Sequence, residues 1–154
     1  RRFAAARVDA IDLDPAMVTR AKRRLAGYGE RVRLATGDMT DLRTALDAED
    51  NSYDAVFDFA IVHHVPDWRA ALAEIVRVLK PGGRFYFDEV TAAALATRGY
   101  RWLFDHPTED RFSAEQFLDE LTRRGLVVIG SIIRIRGDYL LGVAAKPDHA
   151  GTDR

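Results

Sequence analysis

An open α/β sheet that ends in an antiparallel pair is the fold class this sequence predicts, and three observations predict it. Strand-like and helix-like segments alternate from Val8 to Val90. Two of the helical segments open on an aspartate, Asp14 before Pro15 and Asp67 before Trp68. The last two apolar runs, "LVVIGSIIRIR" and "YLLGVAA", flank Gly137-Asp138, a pair suited to a tight hairpin turn.

Taken in order, "RRFAAAR" reads as the last turn of a helix, and Val8 to Asp12 as a buried strand. Asp14 caps free amides while Pro15 fills the first helical turn. The helix is expected to run to about Ala26, with Met17, Ala21 and Leu25 on its apolar face, Lys22, Arg23 and Arg24 at its negative end, and Gly27 as its stop. "RVRLA" is a short alternating strand, a weak helix follows near Thr40 to Ala48, and "YDAVFDFA" is a buried strand. Trp68, Leu72, Ile75 and Leu79 recur at helical spacing until Lys80-Pro81-Gly82-Gly83 ends the helix, and "RFYFDEV" is the next strand. Thr91 to Arg111 lacks one clean period and reads as a helix plus a lid-like loop. Ser113 opens a helix with a capping box to Gln116 and a staple between Phe112 and Phe117, and Gly125 closes it. The tail from Pro147 is polar and frayed, so residues 1–146 form one domain and 147–154 a tail.

Composition narrows the function. With 154 residues, 47% of them hydrophobic, the chain supports one compact core. Lys plus Arg number 23 against 24 acids, a net charge of −1, so no global field recruits nucleic acid or an anionic membrane and the expected ligand is a small molecule. The sequence contains no cysteine, which excludes disulfides and thiolate metal sites, and no apolar run is long enough for membrane insertion. A reducing, cytoplasmic setting is the default expectation; nothing in the sequence sets the oligomeric state.

Open α/β sheets bind ligands beyond the carboxyl ends of their strands. Asp12, Asp58 and Asp88 sit at or near such ends, and Asp38 lies in a Gly-Asp turn after a strand, so these acids are expected to converge on one rim. Asp14 is a cap. Asp12 has no cap to supply and stands where a carboxylate accepts both hydroxyls of a ribose, or else is a solvated strand end; Asp9 has no assigned role. His63 and His64 follow the strand ending near Ala60, and either is a candidate general base. The alternative is a loop in which one ring packs and the other is solvated. A metal site is the weaker reading, since no third ligand accompanies them at a recognised spacing. Asp105-His106 either faces substrate or makes a loop hydrogen bond, and Tyr100, Trp102 and Phe104 either wall an apolar pocket or pack the core.

Four segments, "VDAIDLDPAMVTRAK", "LATGDMTDL", "YDAVFDFAIVHHVPDW" and "ALAEIVRVLKPGGRFYFDE", resemble in order and spacing the class I S-adenosylmethionine-dependent methyltransferases, nearest to the small-molecule branch typified by quinone biosynthesis. The resemblance covers Val8 to about Ala145. It implies a Rossmann-like sheet, S-adenosylmethionine as cofactor and a small-molecule methyl acceptor. Asp12, with Leu13, would bind the cofactor ribose, and Asp38 would accept from the adenine amine with Met39 beside the ring. Asp58 and Phe59, continuing to Ile61, would line the methionine and substrate side, with His64 or His63 as base. Lys80 to Gly83 correspond to a structural turn.

The same resemblance places a glycine-rich loop ahead of Val8, so the domain is expected to be N-terminally incomplete, without its first strand, that loop and most of its first helix. Gly27-Tyr28-Gly29 follows a helix and precedes a strand, the wrong order for a cofactor loop. The absent strand would lie between Val8–Ile11 and Ala55–Phe59, leaving both with an unpaired edge. Three rivals are weighed. A nicotinamide-dependent oxidoreductase shares the acid after the second strand but would not normally end in the hairpin at Gly137-Asp138. In a response-regulator receiver the Lys-Pro pair follows a strand, whereas Lys80-Pro81 follows a helix. A non-catalytic, methyltransferase-like binding or scaffold protein is the serious competitor, since the expected cofactor loop has no counterpart ahead of Val8.

Overall fold

The computed structural model describes residues 7–92, 111–134 and 139–148. The chain divides into two compact units, residues 1–49 and 50–154. Strands and helices alternate as the sequence predicts, in two hydrogen-bonded sheets.

In the first unit, β1 (Val8–Asp12) lies parallel to β2 (Val32–Thr36), with Val8 opposite Val32 and Asp12 opposite Thr36. That register sets Asp9 beside Arg33, whose Nε and Nη2 donate to its carboxylate at 3.1 and 2.8 Å while Nη2 also donates to the carbonyl of Leu46 at 2.5 Å. The unassigned Asp9 is therefore one half of a cross-strand tie, and its partner Arg33 also reaches Leu46. Helix α1 (Pro15–Leu25) starts where expected, the Asp14 carboxylate accepting from the Ala16 amide at 2.7 Å. Its buried face differs from the expected one: Val18 is enclosed, Ala21 and Leu25 are half-buried, and Met17 is exposed. Spacing three then four selects the same helical stripe as spacing four alone, and Val18 rather than Met17 falls at its centre. A 3₁₀ segment (Ala26–Arg31) leads to β2, and α2 (Leu42–Leu46), capped by Asp41, buries Leu42 and Leu46.

In the second unit the sheet order is β3 (Tyr53–Phe59), β4 (Leu79–Val90), β6 (Tyr139–Ala145), β5 (Val127–Arg134). β3 and β4 are parallel, and β6 runs antiparallel to both β4 and β5. Among the described residues β1 pairs only with β2 and β3 only with β4. Helix α3 (Trp68–Val78) starts at its Asp67 cap, and α4 (Ala114–Arg123) carries the full Ser113–Gln116 capping box with Phe112 and Phe117 stapled at 4.9 Å between ring centroids. Lys80–Gly83 departs from expectation: strand β4 begins at once after α3, and the four residues bulge within it between the pairs Tyr53–Leu79 and Ala55–Arg84, Gly82 taking φ +74°. The Gly83 carbonyl and Gly82 amide still bond Lys146, so the bulge costs no ladder end.

One face of this sheet carries the core. Phe85 and Phe87 of β4, Leu140 and Ala144 of β6, Trp68, Leu72 and Ile75 of α3 and Phe117 and Leu121 of α4 are all buried, and the Phe117 ring packs on those of Phe85, Phe87 and Trp68. Rings fully withdrawn from water contribute roughly 1.5–3 kcal/mol each. No helix among the described residues is long and apolar enough to cross a membrane. The readings of residues 1–6, of Tyr100, Trp102, Phe104 and Asp105-His106, of the turn at Gly137-Asp138 and of the last six residues lie outside the described residues.

Phe87 lies across β6 at Gly142, where a Cβ would meet its Cζ and, at 2.7 Å, its Cε2. The ring cannot retreat, since Phe117 stands behind it at 5.3 Å between centroids. Gly142→Ala should lose about 1–3 kcal/mol of stability in urea unfolding, with part recovered on adding Phe87→Leu; a Gly142→Ala protein as stable as the parent would refute this contact.

Candidate functional site

Each unit gathers polar groups beyond the carboxyl ends of its parallel strands. In the first, the β1–β2 register ends at Asp12 and Thr36, and the Gly37 amide donates to the Asp12 carbonyl at 3.1 Å. The chain passes close beneath α2 here, for a Cβ on Gly37 would collide with Ala45. Asp12 is half-buried, and contrary to expectation it does serve a local amide: Oδ1 accepts from Asp14 N–H at 2.9 Å. Asp38, exposed, accepts from Thr40 N–H at 2.8 Å through Oδ1, with half-buried Met39 beside it. Both carboxylates are thus held in place through one oxygen by a backbone amide two residues on. Leu13 is exposed.

The second unit's rim is built on a sharp reversal after β3. Ala60 takes φ +57°, a conformation that disfavours a residue with a Cβ, and its amide donates to the Asp88 carbonyl at 2.6 Å. The reversal turns the next amides inward, over a short 3₁₀ turn (Val62–His64), onto one side chain. That side chain is Glu89, wholly buried at 0% exposure. Its Oε1 accepts from the amides of Ile61 (3.1 Å) and Val62 (2.6 Å). Its Oε2 accepts from Val90 (3.2 Å) and His63 (3.4 Å) and lies 2.6 Å from His63 Nδ1. Asp58, 4% exposed, points to the same place: Oδ1 accepts from the Ile61 amide at 3.2 Å, and Oδ2 is buried with no donor. His63 is buried against Glu89, whereas His64 is exposed and rests on the His63 ring at 4.1 Å. Phe59, at 69% exposed, faces outward.

Two buried carboxyl groups cannot both hold a charge here. Burial, then the negative Glu89, then the hydrogen bond between them push Asp58 up to about 9, against the pull of the Ile61 and Val62 amides. Burial raises Glu89 too, above its ordinary value, with the bond from Asp58 and the amides of Val62, Val90 and His63 opposing the rise. Both oxygens of Glu89 already accept N–H donors while Asp58 Oδ2 has none, so the proton sits on Asp58, which donates it to the Glu89 carboxylate. Burial, with the positive Arg111 adding to it, holds His63 below its ordinary value, so its ring is neutral near pH 7. A neutral imidazole at a strand end, backed by a carboxylate, is able to take a proton. Glu89 is the residue that sequence reasoning passed over in favour of Asp88. Alternation carried the signal, since Phe85, Phe87 and Glu89 share one face of β4.

A family model described as a methyltransferase domain matches residues 1–87. The demethylmenaquinone methyltransferase of Clavibacter sepedonicus is 39% identical over 97 residues, which is 62% of this chain and 38% of that protein. The solved S-adenosylmethionine dependent methyltransferase of Mesorhizobium loti superposes with a TM-score of 0.71 at 20% identity, covering 91% of this chain and 80% of that one. The Burkholderia thailandensis 1,6-didemethyltoxoflavin-N1-methyltransferase, solved with S-adenosylhomocysteine, superposes with a TM-score of 0.62 at 25% identity, covering 92% and 62%. The match spans little more than a third of the length of that curated relative. These likenesses identify the α/β fold as the Rossmann-like one of methyltransferases.

A carboxyl raised by folding binds a proton that the unfolded chain has released, so its contribution to stability is complete below about pH 4 and is lost as pH rises toward 9. Asp58→Asn removes that proton while keeping a donor toward Glu89. The stability of wild type minus that of Asp58→Asn should therefore fall between pH 4 and 9, by at most about 1.4 kcal/mol per pH unit. Denaturant titrations at several pH values measure it, and a constant difference would show that Asp58 is not the protonated group.

Proposed function

This chain belongs to the methyltransferase domain family, and from that premise we propose that the full-length protein transfers a methyl group from S-adenosylmethionine to a small-molecule oxygen, nitrogen or carbon. The observation that carries the reading is the pair of carboxylates after β1 and β2, each steadied through one oxygen by a local amide. Such acceptors fit the chemistry of an adenosine group, whose ribose diol and exocyclic amine are donors. When bound, the cofactor supplies a methyl carried on a positively charged sulfur. Asp12 would accept from the ribose hydroxyls with Leu13 beside it, and Asp38 would accept from the amine with Met39 beside the base. Asp58 and Phe59, at the end of β3, are the residues assigned to the methionine and substrate side. His63 is the base for an acceptor that must release a proton, with His64, on its outer side, the second candidate. The quinone-biosynthesis class is the nearest acceptor type, supported by the identity to the demethylmenaquinone enzyme.

Calorimetry with S-adenosylhomocysteine tests the reading on the full-length protein. Wild type should bind it and not NADH. Asp12→Ala should lose roughly 1–3 kcal/mol of affinity while staying folded, and Asp38→Asn should lose less for an analogue lacking the exocyclic amine than for the natural ligand. Preference for NADH would refute the cofactor, and an Asp12→Ala protein of unchanged affinity would take Asp12 out of the site.

A further inference from the structure

Glu89 is given no part in the reading above, yet it is among the most enclosed side chains of the protein. It receives the amides of three consecutive residues, Ile61, Val62 and His63, and of its own neighbour Val90. With donors on both oxygens, a proton on Glu89 would displace one of them. Asp58 stands in the opposite position. Its Oδ2 is buried without a donor, and the atom escapes being an unpaired acceptor by carrying a proton itself, with Glu89 to receive it. The imidazole of His63 presents Nδ1 to an oxygen of Glu89 at 2.6 Å. Facing an anion, Nδ1 is the protonated nitrogen and the lone pair falls to Nε2.

We propose that Glu89 is a positioning residue of the transfer site: its carboxylate holds the turn from Ile61 to His64 and fixes His63 as the Nδ1–H tautomer with Nε2 as the accepting nitrogen, while Asp58 supplies a hydrogen bond that keeps Glu89 in place. The functional part of this rests on His63 serving as the base in the proposed reaction. A proton leaving the acceptor's O–H or N–H then goes to Nε2, the bonding pair stays on the acceptor atom, and Glu89 remains ionised opposite the imidazolium. The groups facing this ring are Glu89 from β4, Asp58 from β3, Arg111 ahead of α4 and the ring of His64 from the same turn. The arrangement is built from a strand end, a reversal at Ala60 and a neighbouring strand, so it is set before any ligand arrives.

Nitrogen-15 NMR of histidine-labelled full-length protein at pH 7 reads the tautomer directly. In wild type His63 should show a protonated Nδ1 and an unprotonated Nε2. Asp58→Asn, whose amide donates as the protonated acid does, should keep that signature, and Glu89→Gln should lose it or mix it with the other tautomer. A wild-type His63 protonated at Nε2 overturns the proposal whether or not the variants fold, and so does a Glu89→Gln protein with an unchanged signature. Calorimetry with S-adenosylhomocysteine on the same samples separates the two readings. The wrong tautomer in protein that binds the ligand refutes the positioning role alone, and the expected tautomer in protein that does not bind it refutes the methyl-transfer reading alone.

Discussion

A carboxylate without access to water must find its donors inside the protein, and at Glu89 that requirement shapes the rim of the second unit. Four backbone amides and an imidazole answer it. The amides reach Glu89 because the chain reverses at Ala60, a positive-φ alanine that a free loop would avoid. The dry surroundings come from the aromatic face next to it: Phe87 lies one strand pleat away, Phe117 packs on Phe87, and Trp68 packs on both Phe112 and Phe117. Gly142 leaves room for Phe87. Core packing and site electrostatics are therefore one arrangement, since loosening the rings would let water to the carboxyl pair and remove the reason for Asp58 to stay neutral.

The first unit uses a milder form of the same device. Asp12 and Asp38 stand nearer to solvent, and each is held by an amide two residues on. Ordering acceptors before a ligand arrives lowers the entropy that binding must overcome. The parallel register does the placing, because two parallel strands paired from Val8–Val32 to Asp12–Thr36 bring their following turns to the same end of the sheet. The Asp9–Arg33 pair, with Arg33 also bonded to the Leu46 carbonyl, fixes that register from the side.

Local chemistry was legible in the sequence. Asp14, Asp67 and Ser113 cap their helices as read, because capping involves residues two or three apart. The parallel pair and the antiparallel end of the sheet were legible too, through run lengths and turn residues. Pairings across long separations were not: Asp9 acquired its meaning from a residue 24 positions away, and Asp58 from one on the neighbouring strand. Asp88 attracts the sequence reading because it lies near the carboxyl end of its strand, yet Glu89 is the inward one of the pair, sharing a face with Phe85 and Phe87. In α1 the choice between Met17 and Val18 turned on a rotation of one residue, which composition does not settle. The bulge at Lys80–Gly83 reads as a stop because proline and glycine mark breaks, whereas Lys146, the residue after β6, pairs with it.

The central claim is a neutral aspartic acid beside an ionised glutamate at the end of two parallel strands. Infrared spectroscopy of aspartate-labelled protein observes it without a ligand or an assay, because a protonated carboxyl absorbs apart from a carboxylate. The account predicts a protonated aspartic acid band at pH 7 that persists until about pH 9 and is missing from the Asp58→Asn protein. A spectrum at pH 7 with every aspartate ionised would contradict it.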